Sequence, residues 1–244
     1  MGNMTPKCGI KGVLFDKDGT LFDYYGTWVP ILEEGALLAA RGDEGGKVRL
    51  LEACGFDPVA RTVPASGIFA AGNTIELAEL WSDAGGGVAW KVDELVIALD
   101  AHFAAEAPLR SAPVTDLVAF FSGLQKSGLR TGIATNDNAA SARATVAHFN
   151  LSDHVEFICG YDSGFGAKPS PGMLHAFCDA VQLTPAEVAM VGDNFHDLEM
   201  GRLGGAGLKI GVLTGTSTRE DLAPHADVVL QSIVDLPQWL EQNN

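Results

Sequence analysis

From about residue 113 onward, short apolar runs alternate with segments of helical periodicity, and no other feature restricts the fold so strongly. Val114, Leu117, Val118, Phe121 and Leu124 recur at helical spacing, and LRTGIAT then reads as a strand ending at Thr135. A second helix opens at Asn136 to Asn138. VEFICG is the next strand, and SPGMLHAFCDAVQL the next helix, with Ser170 at its N-cap and Pro171 in its first turn, where a missing N–H has no consequence. VAMVGD, LKIGVL and ADVVL supply three more strands. Alternation of this kind builds βαβ units, so the expected fold is α/β, a parallel sheet flanked by helices.

Residues 24 to 108 have a different texture. Helical periodicity dominates, clearest in Val92, Leu95, Val96, Leu99 and Phe103, and the breaks are glycine-rich, RGDEGGK and SDAGGGV. The expected organisation is an α/β core of residues 1–23 and 109–244, interrupted by a helical insert at 24–108, with PLRSAP as the return hinge. Trp28, Trp81 and Trp90 lie in the insert, where aromatic side chains are core more often than substrate contacts.

Sixteen basic residues against 31 acidic ones leave a net charge of −15, which repels nucleic acid and anionic membrane. A phosphorylated ligand would be repelled as well, so a site for one must supply positive charge locally, from a metal, a lysine or helix N-termini. Cys8, Cys54, Cys159 and Cys178 are scattered and form no CxxC pair, which argues against a zinc site and a disulfide framework. No apolar run approaches the roughly 18 residues of a membrane span, and MGNMTPKCGIKG has no apolar stretch long enough for a signal peptide. The expectation is a cytoplasmic protein.

Ligands of open parallel sheets bind beyond the carboxyl ends of the strands. Asp16 follows GVLF, Thr135 and Asn136 follow GIA, and Asp193 follows VAMVG. The intervals from Thr135 to Lys168 and from Lys168 to Asp193 each approximate one βα unit of roughly 30 residues. Four aspartates at one sheet edge, Asp16, Asp18, Asp193 and Asp197, would repel one another by several kcal/mol at an effective dielectric near 20. Something cationic must sit among them. With oxygen ligands alone the choice is a hard ion, and Mg²⁺ is the default beside phosphate, with Lys168 as a second fixed positive charge. One carboxylate is still left in excess, which suits a group that carries a proton for part of a cycle, as a general acid does.

DKDGT, GIATN, AKPSP and GDNFHD, in that order, resemble the four motifs of the haloacid dehalogenase superfamily. More narrowly, the chain is similar to the phosphoglycolate phosphatase-like branch, with a helical cap inserted after the first motif. The resemblance spans residues 10 to 235 and implies a Rossmann-like core and a Mg²⁺-dependent phosphatase acting on a small phosphorylated metabolite, phosphoglycolate-like or a sugar phosphate. It implies that Asp16 is the nucleophile that forms an aspartyl phosphate and that Asp18 is the acid and base. Asp16, the Asp18 main-chain carbonyl and Asp193 would hold Mg²⁺. Thr135 and the Asn136 N–H would hold phosphoryl oxygens, Lys168 would stabilise charge there, and Asp197 would orient Lys168 or metal-bound water. Gly19 would join Thr135, Asn136 and Lys168 as a substrate-binding residue, and it permits the bend.

Within that superfamily, dehalogenases lack the second aspartate, phosphonatases place a small residue there, and P-type ATPases carry DKTGT; Asp18 argues against all three. A β-phosphoglucomutase-like mutase shares every core residue and differs in the acceptor. A non-catalytic phosphate-binding protein would be expected to have lost one of Asp16, Asp18, Lys168 or Asp193.

Overall fold

The computed structural model describes residues 9–84 and 90–243, so Cys8, the N-terminal stretch before it and the glycine run of SDAGGGV lie outside the described residues. In chain order, β1 (Gly12–Phe15) is followed by α1 (Tyr24–Ala39), α2 (Glu44–Ala53), α3 (Ile68–Ala71), α4 (Thr74–Ala84) and α5 (Val92–Arg110). Then come α6 (Leu117–Lys126), β2 (Arg130–Ala134), α7 (Ala139–His148), β3 (Phe157–Cys159), α8 (Gly172–Val181) and β4 (Val188–Gly192). The chain closes with α9 (Phe195–Gly204), β5 (Leu208–Val212), α10 (Arg219–Leu222), β6 (Val228–Leu230) and α11 (Leu236–Asn243).

The strands form one parallel sheet in the order β3-β2-β1-β4-β5-β6. This is the parallel α/β sheet that the alternation predicts and the Rossmann-like core that the resemblance implies. β1 is buried throughout because both of its faces are covered. Val13 and Phe15 pack with Ile133 and Val191 against Phe121 of α6, Val146 of α7 and Leu236 of α11. Leu14, on the opposite face, packs with Ala134 and Met190 against Leu174 and Phe177 of α8 and Met200 of α9. Phe15 sits in register with Ile133 on one side and Val191 on the other, so the residues that follow all three strands emerge together. The strand order reverses between β1 and β4, the place where such sheets open a ligand crevice.

Helices α1 to α5 bury a cluster of their own, including Trp28, Ile31, Leu32, Trp81, Leu99 and Phe103. Asp23 starts α1 by accepting the Gly26 N–H at 2.7 Å. The chain leaves α5 within PLRSAP, at Ser111 and not at Pro108. Pro108 is buried inside the last turn of α5, and the helix runs to Arg110, whose guanidinium bonds Glu106 and Glu34 while the Ser111 N–H bonds the Ala107 carbonyl. The glycines of RGDEGGK also divide: Arg41 and Gly42 take positive φ and make the break, whereas Gly45 and Gly46 begin α2 under the Asp43 carboxylate. α8 begins one residue later than its motif predicts, with Pro171 and not Ser170 at the cap. Among the described residues no helix is long and apolar enough to cross a membrane.

Candidate active site

Asp16 leaves the end of β1, and its N–H still bonds the Val191 carbonyl of β4 at 2.8 Å. The loop between β3 and α8 brings Lys168 across the sheet edge, where its Nζ lies 2.5 Å from Asp16 Oδ1 and 2.6 Å from Asp197 Oδ1. Asn136 fixes that loop at both ends of one residue. Its Oδ1 accepts the Lys168 N–H at 2.8 Å and its Nδ2 donates to the Lys168 carbonyl at 3.1 Å. Asp197 is locked in turn by the capping box that starts α9, since its Oδ2 accepts the Asn194 N–H at 3.1 Å.

Asp193, the residue after β4, is gripped from a loop that sequence patterning did not single out. The N–H of Thr216 donates to its Oδ2 at 2.8 Å. A Cβ on Gly215 would overlap this carboxylate, and one on Gly19 would lie 2.6 Å from its Cγ. Gly19 also takes φ +85° and offers its carbonyl to the Thr214 hydroxyl at 2.6 Å. What Gly19 touches is therefore Asp193, and it is not among the residues that line the cavity described below.

Carboxylate oxygens of Asp16, Asp193 and Asp197 lie within 4.8 Å of one another, and all three residues are buried. Burial pushes the Asp193 carboxyl up to about 7, with the Asp197 charge adding to the shift. Burial raises Asp16 as well; Lys168 opposes the shift and the neighbouring carboxylates reinforce it. Lys168 itself, despite burial, is held above its usual range by Asp16 and Asp197. Three carboxylates thus face one ammonium, and an all-oxygen cluster short of positive charge suits a hard divalent cation such as Mg²⁺.

Asp18 is turned away from that trio. Its carboxylate meets the fully buried Lys17 Nζ at 2.7 Å, and Asp137 meets the same ammonium at 3.1 Å. Burial works against the charge on Lys17, yet Asp18 and Asp137 hold it above the ordinary lysine range. Thr135, buried at the end of β2, accepts the Asp137 N–H on its hydroxyl at 3.1 Å. Lys17, Asp137 and Thr216 were absent from the sequence-derived site. A lysine two residues beyond a fully apolar central strand has no ready route to solvent and must find buried anions, which was the available signal for Lys17. For Thr216 the signal was GTST, which lies beyond the end of β5 at the same sheet edge.

A cavity of about 80 Å³ opens over these groups. Its floor is polar and comes from the strand-end loops, including Asp16, Asp18, Thr135, Asn136 and Lys168, while its roof comes from α1, α3, α4 and α5. The roof is tied to the floor through main-chain carbonyls. Asn136 Nδ2 donates to Ala71 O at 2.9 Å, His196 Nδ1 lies 2.8 Å from the same oxygen, and Asn194 Nδ2 donates to Ala65 O at 2.8 Å. Tyr24 and Trp28 line the cavity, whereas Trp81 and Trp90 spend their indole N–H groups inside the insert, on Leu50 O and Ala39 O.

The model of the haloacid dehalogenase-like hydrolases matches residues 10–205, which include every residue of the site except the Thr216 loop. The chain belongs to that family. It is 28% identical over 238 residues to an N-acetylmuramic acid 6-phosphate phosphatase of Pseudomonas aeruginosa, covering 95% of this chain and 93% of the relative. A protein of the same name from Pseudomonas putida is 25% identical over 196 residues, 79% of this chain and 78% of its own. Among solved structures, a predicted phosphoglycolate phosphatase from Haemophilus somnus superimposes with a TM-score of 0.69 at 15% identity, covering 94% of this chain and 97% of that one. Membership makes this chain a hydrolase, and both named sequence relatives are phosphatases.

Proposed function

We propose that this family member is a Mg²⁺-dependent phosphatase of small phosphorylated metabolites, working in the cytoplasm through an aspartyl phosphate on Asp16. The observation that carries the proposal is the convergence on Asp16, at the end of the central strand, of one buried ammonium and two further buried carboxylates. In this reading residues 1–23 and 109–244 supply the chemistry and residues 24–108 cap it.

A carboxylate oxygen of Asp16 attacks phosphorus, forming one O–P bond as the bond from phosphorus to the leaving oxygen breaks. The Asp18 carboxyl delivers its proton to that oxygen, so the product leaves as a neutral alcohol. In the second half, the Asp18 carboxylate takes a proton from water, whose oxygen attacks the same phosphorus and returns Asp16 as a free carboxylate. The Thr135 hydroxyl and the Asn136 N–H hold the non-reacting phosphoryl oxygens, and Lys168 balances the charge that gathers on them. The carboxylates of Asp16 and Asp193 and the main-chain carbonyl of Asp18 would hold Mg²⁺, which would supply the positive charge that lets an anionic nucleophile approach an anionic ester. Asp197 keeps Lys168 aimed.

The deciding experiment follows inorganic phosphate released from p-nitrophenyl phosphate and a panel of phosphorylated metabolites, with Mg²⁺ and with chelator, beside Asp16→Asn. Mg²⁺-dependent release that the variant lacks is expected. No release from any ester, or release unaffected by the variant, overturns the proposal; label transferred to a sugar phosphate instead of water assigns a mutase.

A further inference from the structure

The cavity's roof carries information about the part of the substrate that leaves. The insert contains five lysines and arginines, and each is engaged elsewhere. Lys47, Arg49, Arg61 and Lys91 lie 3.4, 3.5, 2.8 and 3.6 Å from Glu44, Asp43, Glu33 and Glu94. Arg41 lies over the Trp90 ring at 4.5 Å. None lines the cavity, and residues 85–89 are Gly, Gly, Gly, Val and Ala. Among the described residues, Lys168 is the only lysine or arginine that lines the cavity, and it is already shared by Asp16 and Asp197.

In place of charge the roof offers a ring cluster. Trp28 packs edge-on against Phe69 with centroids 6.0 Å apart and against Phe103 at 5.3 Å, with Ile68 and Leu77 beside them. The buried Trp28 Nε1 has no hydrogen-bond partner among the described residues, a neutral donor left over. His196 also lines the cavity. Its Nδ1 faces the Ala71 carbonyl at 2.8 Å and so carries a proton, leaving Nε2 as the ring's second polar atom. A second carboxylate or phosphate on the substrate would be desolvated against these rings with no unengaged lysine or arginine among the described lining residues to pair with it.

We infer that the substrate is the monophosphate of an uncharged alcohol with an apolar face, and that the Trp28, Phe69 and Phe103 wall discriminates against esters bearing a second anionic group. The inference rests on the phosphatase proposal and narrows it, setting phosphoglycolate, with its carboxylate, among the poor substrates.

Matched esters test it: glucose 6-phosphate against 6-phosphogluconate, and 2-hydroxyethyl phosphate against phosphoglycolate, with p-nitrophenyl phosphate as a generic ester. The neutral member of each pair should show kcat/KM at least tenfold higher. Ile68→Arg, which sets a cation in the roof at a half-buried position, should cut that ratio at least tenfold; Phe69→Arg serves the same purpose should the first variant fail to fold. Turnover of p-nitrophenyl phosphate with equal or better turnover of the anionic members overturns this inference and leaves the phosphatase proposal standing. An unchanged ratio in the folded arginine variants overturns the assignment of the roof as its cause. No turnover even of p-nitrophenyl phosphate overturns both.

Discussion

The ammonium of Lys17 lies 2.7 Å from the Asp18 carboxylate, 3.1 Å from that of Asp137 and 5.3 Å from the centre of the Trp28 ring, with no exposure to solvent. One side chain of the first motif therefore joins the proposed acid-base residue, the loop after β2 and the first helix of the insert.

Removing that charge strands two buried carboxylates. Lys17→Met should destabilise the protein by about 3–5 kcal/mol, the usual result of breaking a buried ion pair on one side. Urea unfolding measures it, and adding Asp137→Asn should restore part of the loss. A change below about 1 kcal/mol in the single variant would show that the triad is unimportant to folding.

Asp193 sets a pH dependence. Its carboxyl is pushed up to about 7 in the folded, metal-free chain against 3.8 as its ordinary value, so between those limits the folded state holds a proton that the unfolded state has released. Its contribution is therefore stabilising at low pH and is lost as pH rises towards 7. Thermal melts in chelator should show Asp193→Asn gaining on the parent protein from pH 4.5 to 7.5. Because a cation requires the ionised carboxylate, Mg²⁺ should raise the parent's Tm more at pH 8 than at pH 5.5. A Mg²⁺ shift independent of pH would separate Asp193 from metal binding.

Gly215→Ala probes the grip on that same residue. A methyl group there has nowhere to go but into the Asp193 carboxylate, so phosphate release should fall at least tenfold and the Mg²⁺ requirement should rise, while the circular dichroism spectrum is retained. Parent-like Mg²⁺ dependence would mean the loop moves aside without consequence.

Asp16→Asn and Asp18→Asn separate the two halves of the proposed reaction. The first should be inactive and take up no label from ³²P-labelled ester. The second, which keeps the nucleophile but lacks the base for water, should accumulate acid-stable, hydroxylamine-sensitive label. Equal labelling of both variants would dissolve the division of roles.

Much of this was legible beforehand, for identifiable reasons. The strands announce themselves because β1 and β4 are buried on both faces and so read as continuous apolar runs, and Asp16, Thr135 and Asp193 could be placed because each directly follows such a run. The errors lie where tertiary contacts override local signals. Pro108, the first residue of the expected hinge, sits in a helical turn pinned by Arg110, and Gly45 and Gly46 looked like loop but begin a helix capped by Asp43. The Lys17–Asp137 contact joins residues 120 positions apart, and no periodicity within either segment reports such a pair.

Asn136 holds Lys168 by its main chain and, with the same amide group, holds the roof at Ala71. One amide group thus ties the roof to the loop that carries Lys168, so a change at either contact is felt at the other. The catch on the roof side is a peptide oxygen, which every amino acid provides. Substitutions across 65–71 can therefore redraw the shape and chemistry of the chamber while the latch stays intact, leaving the leaving-group side free to diversify over a fixed reaction.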